Sequence, residues 1–149
     1  MEYKNEDNID YTLLERDEPI RVLAVEDELL SMKFLEKQIK DLGHEMMKAE
    51  NGQESLSVLQ ANKGKVDVVL MDREMPIMNG MEAVRRIKNN PDLRNIPVIM
   101  VTGADSPDEM KEGLDIGVFY YLTKPVKEEM LRSVLSAAVR EAQQSKTLA

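Results

Sequence analysis

Residues Val68 to Gly80, VVLMDREMPIMNG, start as a buried strand and stop on a carboxylate. Four apolar residues, Val68 to Met71, run directly into Asp72. A turn follows that contains Met75 and Pro76 and ends at Asn79-Gly80. An apolar run without alternating polar residues is covered on both faces, as in a parallel sheet flanked by helices. Pro76 stiffens the turn by fixing its own φ. The stretch therefore sets one acid rigidly at a sheet edge and holds backbone groups beside it.

The same rhythm extends in both directions. Upstream, RVLAVE from Arg21 is a short apolar run fit for a buried strand. Residues 28–42 place Met32, Leu35, Ile39 and Leu42 on one helical face, and Gly43 supplies the stop. HEMMKAE, residues 44–50, is a weaker strand, and GQESLSVLQAN, residues 52–62, is a helix with Leu56 and Leu59 inward. VDVVLM, residues 66–71, is the third strand. Downstream, Met81, Val84 and Ile87 mark a helix that stops before Pro91. IPVIMVT, residues 96–102, is the fourth strand; residues 107–116 form a helix, and VFYYLT, residues 118–123, is the fifth strand. The last helix, 127–144, turns Leu131, Val134, Leu135, Ala138, Val139 and Ala142 inward. Strand and helix alternate five times. This predicts an α/β fold: a doubly wound five-stranded parallel sheet with helices on both faces.

Composition narrows the function classes. The 149 residues suit one domain, and 42% apolar with 32% charged content marks a soluble globular chain. Without cysteine there is neither a disulfide framework nor a thiolate zinc site, and a single histidine, His44, excludes multi-histidine metal sites. Residues 1–19 hold seven acids and two bases, which is −5 of the formal net charge of −8. That balance argues against DNA binding. No apolar run approaches the ~20 residues of a membrane span, so no membrane partner is expected. The acidic N-terminus is unlike a leader peptide, and a cytoplasmic location is the expectation. Residues 1–19 read as an acidic extension, either flexible or a short helix, Asp10 to Asp17, docked on the domain or on a second copy. Residues 20–145 form the domain, and 146–149 a tail.

In such sheets, sites lie beyond the carboxyl ends of the strands. Glu26 and Asp27 close the first strand, Asp72 the third and Thr102 the fourth, and the fifth runs into Lys124. Carboxylates brought to about 4 Å repel by roughly 4 kcal/mol per pair at an effective dielectric of ~20. They need cations. Lys124 supplies one charge, and oxygen-only donors suit magnesium as the other. Magnesium also takes a phosphoryl oxygen as partner, to which Thr102 could donate a hydrogen bond. Asp72 is placed to act as a nucleophile toward phosphorus, giving an acyl phosphate.

At these residues the chain resembles the receiver domain of two-component response regulators, over about residues 20–145. The matching pieces are VLAVEDE, LMDREMPIMNG, VIMVTG and YYLTKP, in order and each at its own strand end. The resemblance implies a flavodoxin-like sheet of order 2-1-3-4-5. It implies that Asp72 accepts a phosphoryl group from the phosphohistidine of a sensor histidine kinase or phosphotransfer protein. Asp27, Asp72 and the main-chain carbonyl of Glu74 would bind Mg2+, with Glu26 helping directly or through water. Lys124 would pair with the phosphoryl oxygens, Thr102 would swing toward them, and Tyr121 would move inward behind it. Pro125 would follow a cis peptide bond. The surface of the fourth helix, fifth strand and fifth helix would then change its affinity for an output protein. The expected oligomeric state is a monomer or weak homodimer.

Plainer readings stand beside these. Glu26 and Asp27 also suit a helix N-terminus, Asp72 a turn start, Thr102 a capping hydroxyl, Lys124 a solvated surface position and Tyr121 a half-buried strand position. His44 reads as a solvated loop residue. The methionines read as core filling. Phe119 and Tyr120 stand where receivers often carry small or acidic residues, and one of them is expected to face solvent as a contact for a partner or second copy. Glu74 and Ala104 lie where the family tunes phosphate lifetime. The leading function is a stand-alone phosphorylation switch that catalyses only its own phosphorylation and dephosphorylation. The alternatives are a Mg2+-dependent phosphatase with an aspartate nucleophile, and a receiver-shaped scaffold independent of phosphorylation.

Overall fold

A computed structural model describes residues 18–103 and 105–148, with side chains as far as Gln144. The segment Asp10 to Asp17 and Ala104 lie outside the described residues. Strands and helices alternate as β1 Arg21–Val25, α1 Leu29–Asp41, β2 Glu45–Ala49, α2 Gly52–Ala61, β3 Val68–Asp72, α3 Gly80–Lys88, β4 Val98–Thr102, α4 Pro107–Ile116, β5 Tyr120–Thr123 and α5 Glu128–Leu148. The strands form one parallel sheet in the order β2-β1-β3-β4-β5. This is the doubly wound, flavodoxin-like sheet expected.

Hydrophobic pattern decides who sits where. Every residue of β3 and β4 is buried, as their uninterrupted apolar runs require. The mixed sequences EMMKA and YYLT take the two edges, where part of each strand stays near water. Alternation along β1 splits the core into two layers. Val22 and Ala24 face Leu35, Ile39, Leu131 and Leu135 of α1 and α5. Leu23 and Val25 face Leu59, Val84 and Ile87 of α2 and α3. Full burial of each such aliphatic side chain contributes about 1.5–3 kcal/mol. Met32, Met71, Met78, Met81 and Met100 are buried among them, so methionine does serve largely as filler.

Several details differ from the sequence reading. Gln38 shares the buried face of α1 because its Nε2 donates to the Val126 carbonyl at 2.7 Å. His44 is half-buried rather than solvated: its Nδ1 accepts the Ile20 N–H at 3.0 Å. Helix α5 runs on to Leu148, through most of the segment 146–149 expected as a tail. No glycine or proline stands there to stop it. The aromatic pair before Tyr121 does follow the expectation that one member faces solvent: Tyr120 is 42% exposed, whereas Phe119 packs on the core. Among the described residues, no helix is long and apolar enough to cross a membrane.

Candidate functional site

Parallel register gathers the polar strand ends at one edge. Val25 pairs with Met71, so Glu26 and Asp72 follow at adjacent positions. Asp72 pairs with Val101, which sets Thr102 one step beyond. One oxygen from each of Glu26, Asp27 and Asp72 lies within 4.8 Å of the others. Glu26 and Asp72 are buried, at 2% and 5% exposure, while Asp27 is open to solvent. Lys124 arrives from the loop after β5. Its Nζ lies 3.0 Å from Glu26 Oε1 and 3.1 Å from Asp72 Oδ1. The Lys124–Pro125 peptide bond is cis.

The electrostatics follow from burial and crowding. Burial raises the Glu26 pKa, and the adjacent Asp72 raises it further; Lys124 and the Glu28 N–H oppose this and lose. Burial alone would lower the Lys124 pKa, but its hydrogen bonds to Glu26 and Asp72 outweigh that and raise it. Lys124 is therefore a fixed positive charge. Three carboxylates against one ammonium still leave two formal negative charges. A compact set of carboxylate oxygens with that surplus fits a hard divalent cation.

The turn after Asp72 folds back tightly. Gly80 N–H donates to the Arg73 carbonyl at 2.9 Å, and a β-carbon on Gly80 would collide with the Asp72 carbonyl oxygen. Glycine is required there because the backbone passes directly against the strand end. Within the turn, Met78 N–H reaches the Pro76 carbonyl at 2.7 Å, and Ile77 between them has φ 70°. That is a γ-turn centred on a β-branched residue in the left-handed region, a strained conformation. Ile77 is 84% exposed. Glu74 is exposed in the same turn.

Thr102 and Tyr121 belong to a second group of contacts, which sequence reading missed. The Thr102 hydroxyl is buried and donates to Asp105 Oδ1 at 2.5 Å. Arg73 reaches the same Asp105 oxygen and also Glu109. Tyr121 is half-buried, with its hydroxyl 3.3 Å from the Glu109 carbonyl oxygen. Burial, then the Asp105 charge, raises its pKa. The one legible sign of this group was Ser106-x-x-Glu109, a capping box that closes the first turn of α4.

A sequence model of the response regulator receiver domain matches residues 22–136. The chain belongs to this family. The receiver domain is 39% identical over 119 residues to the protein PilH of Pseudomonas aeruginosa, covering 80% of this chain and 97% of PilH. It is 35% identical over 120 residues to the gliding motility regulatory protein of Myxococcus xanthus, but spans only 15% of that larger protein. Among solved structures it is similar to the chemotaxis protein CheY4 of Vibrio cholerae, with a TM-score of 0.74, 30% identity, and coverage of 81% of this chain and 99% of that one. The receiver domain of the sensor histidine kinase PA1611 from Pseudomonas aeruginosa aligns with a TM-score of 0.71 at 26% identity, covering 82% and 98% of the two chains. That protein was crystallised with a magnesium ion coordinated in its active-site cleft. Both the family and its place in two-component signalling thus agree with the strand-end pattern.

Proposed function

We propose that this receiver domain is a phosphorylation-dependent switch in which Asp72 accepts a phosphoryl group from a phosphohistidine. The donor is a sensor histidine kinase or phosphotransfer protein. The observation that carries the reading is the Lys124 ammonium held between the buried carboxylates of Glu26 and Asp72. An Asp72 oxygen attacks phosphorus, the phosphorus–nitrogen bond breaks, and the donor imidazole leaves with the electron pair and takes up a proton. Lys124 offsets the negative charge brought to Asp72. Glu26, Asp27 and Asp72, with the Glu74 carbonyl, would hold Mg2+, which supplies further charge neutralisation when bound. The chain's own work is positioning: a rigid strand end, a closed turn and a fixed ammonium.

Two apolar features support a protein as donor. Leu29 and Leu30, just past Asp27, are 67% and 74% exposed, and Ile77 stands exposed in the turn after Asp72. A groove of 430 Å³ beside Glu26 and Lys124 is lined by Leu30, Phe34 and Pro125. Exposed apolar surface around a charged site suits docking of another protein. Output would pass through the α4-β5-α5 face to an output protein, with Thr102 and Tyr121 changing position. Catalysis is confined to the domain's own phosphorylation and dephosphorylation, and a cytoplasmic location follows from that role.

The test is incubation with acetyl phosphate and Mg2+ followed by intact-protein mass measurement. A gain of one phosphoryl group, absent in Asp72→Asn, is expected. Continuous release of inorganic phosphate from simple monoesters without such a gain would instead favour the phosphatase alternative.

A further inference from the structure

Arg73 follows Asp72 at the end of β3, and its side chain is 15% exposed. Its Nε lies 3.3 Å from Asp105 Oδ1 and its Nη2 2.9 Å from Glu109 Oε2. The Asp105 side chain is only 3% exposed. A carboxylate so buried requires a counter-charge, and Arg73 provides it. The oxygen of Asp105 that meets Arg73 also accepts the Thr102 hydroxyl at 2.5 Å.

A threonine hydroxyl has one hydrogen to donate. Here Thr102 spends it on Asp105, and a phosphoryl oxygen on Asp72 would have to compete for it. The competing arrangement is incompletely satisfied. Arg73 Nη1 and Asp105 Oδ2 are buried without a hydrogen-bond partner among the described residues. Each such group keeps a desolvation cost that no hydrogen bond offsets. Arg73 also grips Glu109 of the α4 capping box, whose carbonyl lies beside the Tyr121 hydroxyl. One chain of contacts therefore joins Thr102, the first turn of α4 and Tyr121.

We infer that Arg73 and Asp105 form a latch that holds the Thr102 hydroxyl away from Asp72, so that phosphorylation must displace Asp105 from Thr102 before α4 and Tyr121 can respond. The inference rests on Asp72 being the phosphoacceptor. Arg73 and Asp105 are positioning residues: neither touches the transferred group. The latch biases the domain toward its unphosphorylated state, and phosphoryl oxygens reverse that bias by offering Thr102 a second acceptor.

The test uses the full chain with Mg2+ and beryllofluoride, a stable phosphoryl mimic, followed by amide NMR at Thr102 and Tyr121. Asp105→Ala frees the hydroxyl and is expected to tighten beryllofluoride binding at least about tenfold, the scale of one hydrogen bond to a charged group. Arg73→Met strips Asp105 of its counter-charge and shifts affinity in the same direction. In a Thr102→Ala background, Asp105→Ala changes affinity less than about twofold, because the shared partner is gone. Should Asp105→Ala fail to fold, the isosteric Asp105→Asn carries the test, with a smaller gain. Unchanged or weaker binding in the folded Asp105 variant, or an equal gain without Thr102, overturns the latch alone. Wild type that does not bind, or binding that survives Asp72→Asn, overturns the phosphoacceptor reading and the latch with it.

Discussion

The Tyr121 hydroxyl fills the space that a β-carbon on Gly113 would occupy. Glycine inside α4 is thus explained by a side chain from β5 and not by the helix itself. Alanine at this position would gain about 1 kcal/mol in helix propensity. It would also push Tyr121 out of its half-buried place, and overpacking of this kind costs about 1–3 kcal/mol. Gly113→Ala is expected to lose up to about 2 kcal/mol while displacing Tyr121, seen as altered ring NMR contacts. In a Tyr121→Ala background the same change should stabilise by about 1 kcal/mol in urea unfolding. Equal effects in both backgrounds would show that the two residues do not compete for space.

Ile77 offers a second test, in which packing plays no part. At φ 70° it occupies a region costly for a β-branched residue, with its side chain in solvent. Relief of that strain is worth about 1–3 kcal/mol, against about 0.5–1 kcal/mol for the extra chain entropy of glycine. Ile77→Gly should therefore raise stability by about 1 kcal/mol, read as a higher urea midpoint at constant slope. A lower midpoint would mean that the isoleucine makes stabilising contacts.

On the proposed reading, the crowded carboxylates of Glu26, Asp27 and Asp72 take a divalent ion, which then acts as a folding ligand. At a hundredfold excess over its Kd, a bound ion stabilises by about 2.7 kcal/mol. Mg2+ is expected to raise the Tm of the wild type, and chelation to reverse it. Asp27→Asn should lose most of this response while changing little without metal, since Asp27 is exposed. The same Mg2+ response in both proteins would place the ion elsewhere.

The cap of α4 predicts a pH effect with a definite sign. The Ser106 backbone N–H, then its hydroxyl, then Arg73 hold the Glu109 carboxyl below the usual glutamate range. A pKa lowered by folding gives stability that is present above the unfolded value and is lost as pH falls through the folded one. The cap is therefore complete at neutral pH and weakens only in acid. Carboxyl NMR titration should show the Glu109 midpoint below that of an unstructured peptide, and Ser106→Ala should move it up. An unmoved midpoint in that variant would dismiss the Ser106 hydroxyl as a contributor and leave its backbone N–H as the cause.

Much of this architecture was legible because it rests on periodicity. Apolar runs ending in Asp72, Thr102 and Glu26 can be aligned without coordinates, and parallel strands must then bring those ends to one edge. Lys124 was legible for the same reason, at the end of the fifth run. Arg73 and Asp105 were not. Both lie in turns, where no repeat fixes direction, and their meeting depends on the path of two separate loops. Gln38 escaped because a polar residue on an inner helix face is satisfied only by a carbonyl distant in sequence. His44 escaped likewise, through its bond to the Ile20 N–H.

Borohydride trapping tests the assignment of Asp72 most directly. After exposure to acetyl phosphate and Mg2+, reduction converts an aspartyl phosphate to homoserine, which peptide mass spectrometry can locate. Conversion at Asp72 alone, absent when Mg2+ is chelated, is the result expected. Conversion at another acid, or a phosphorylated protein with Asp72 unreduced, would contradict it.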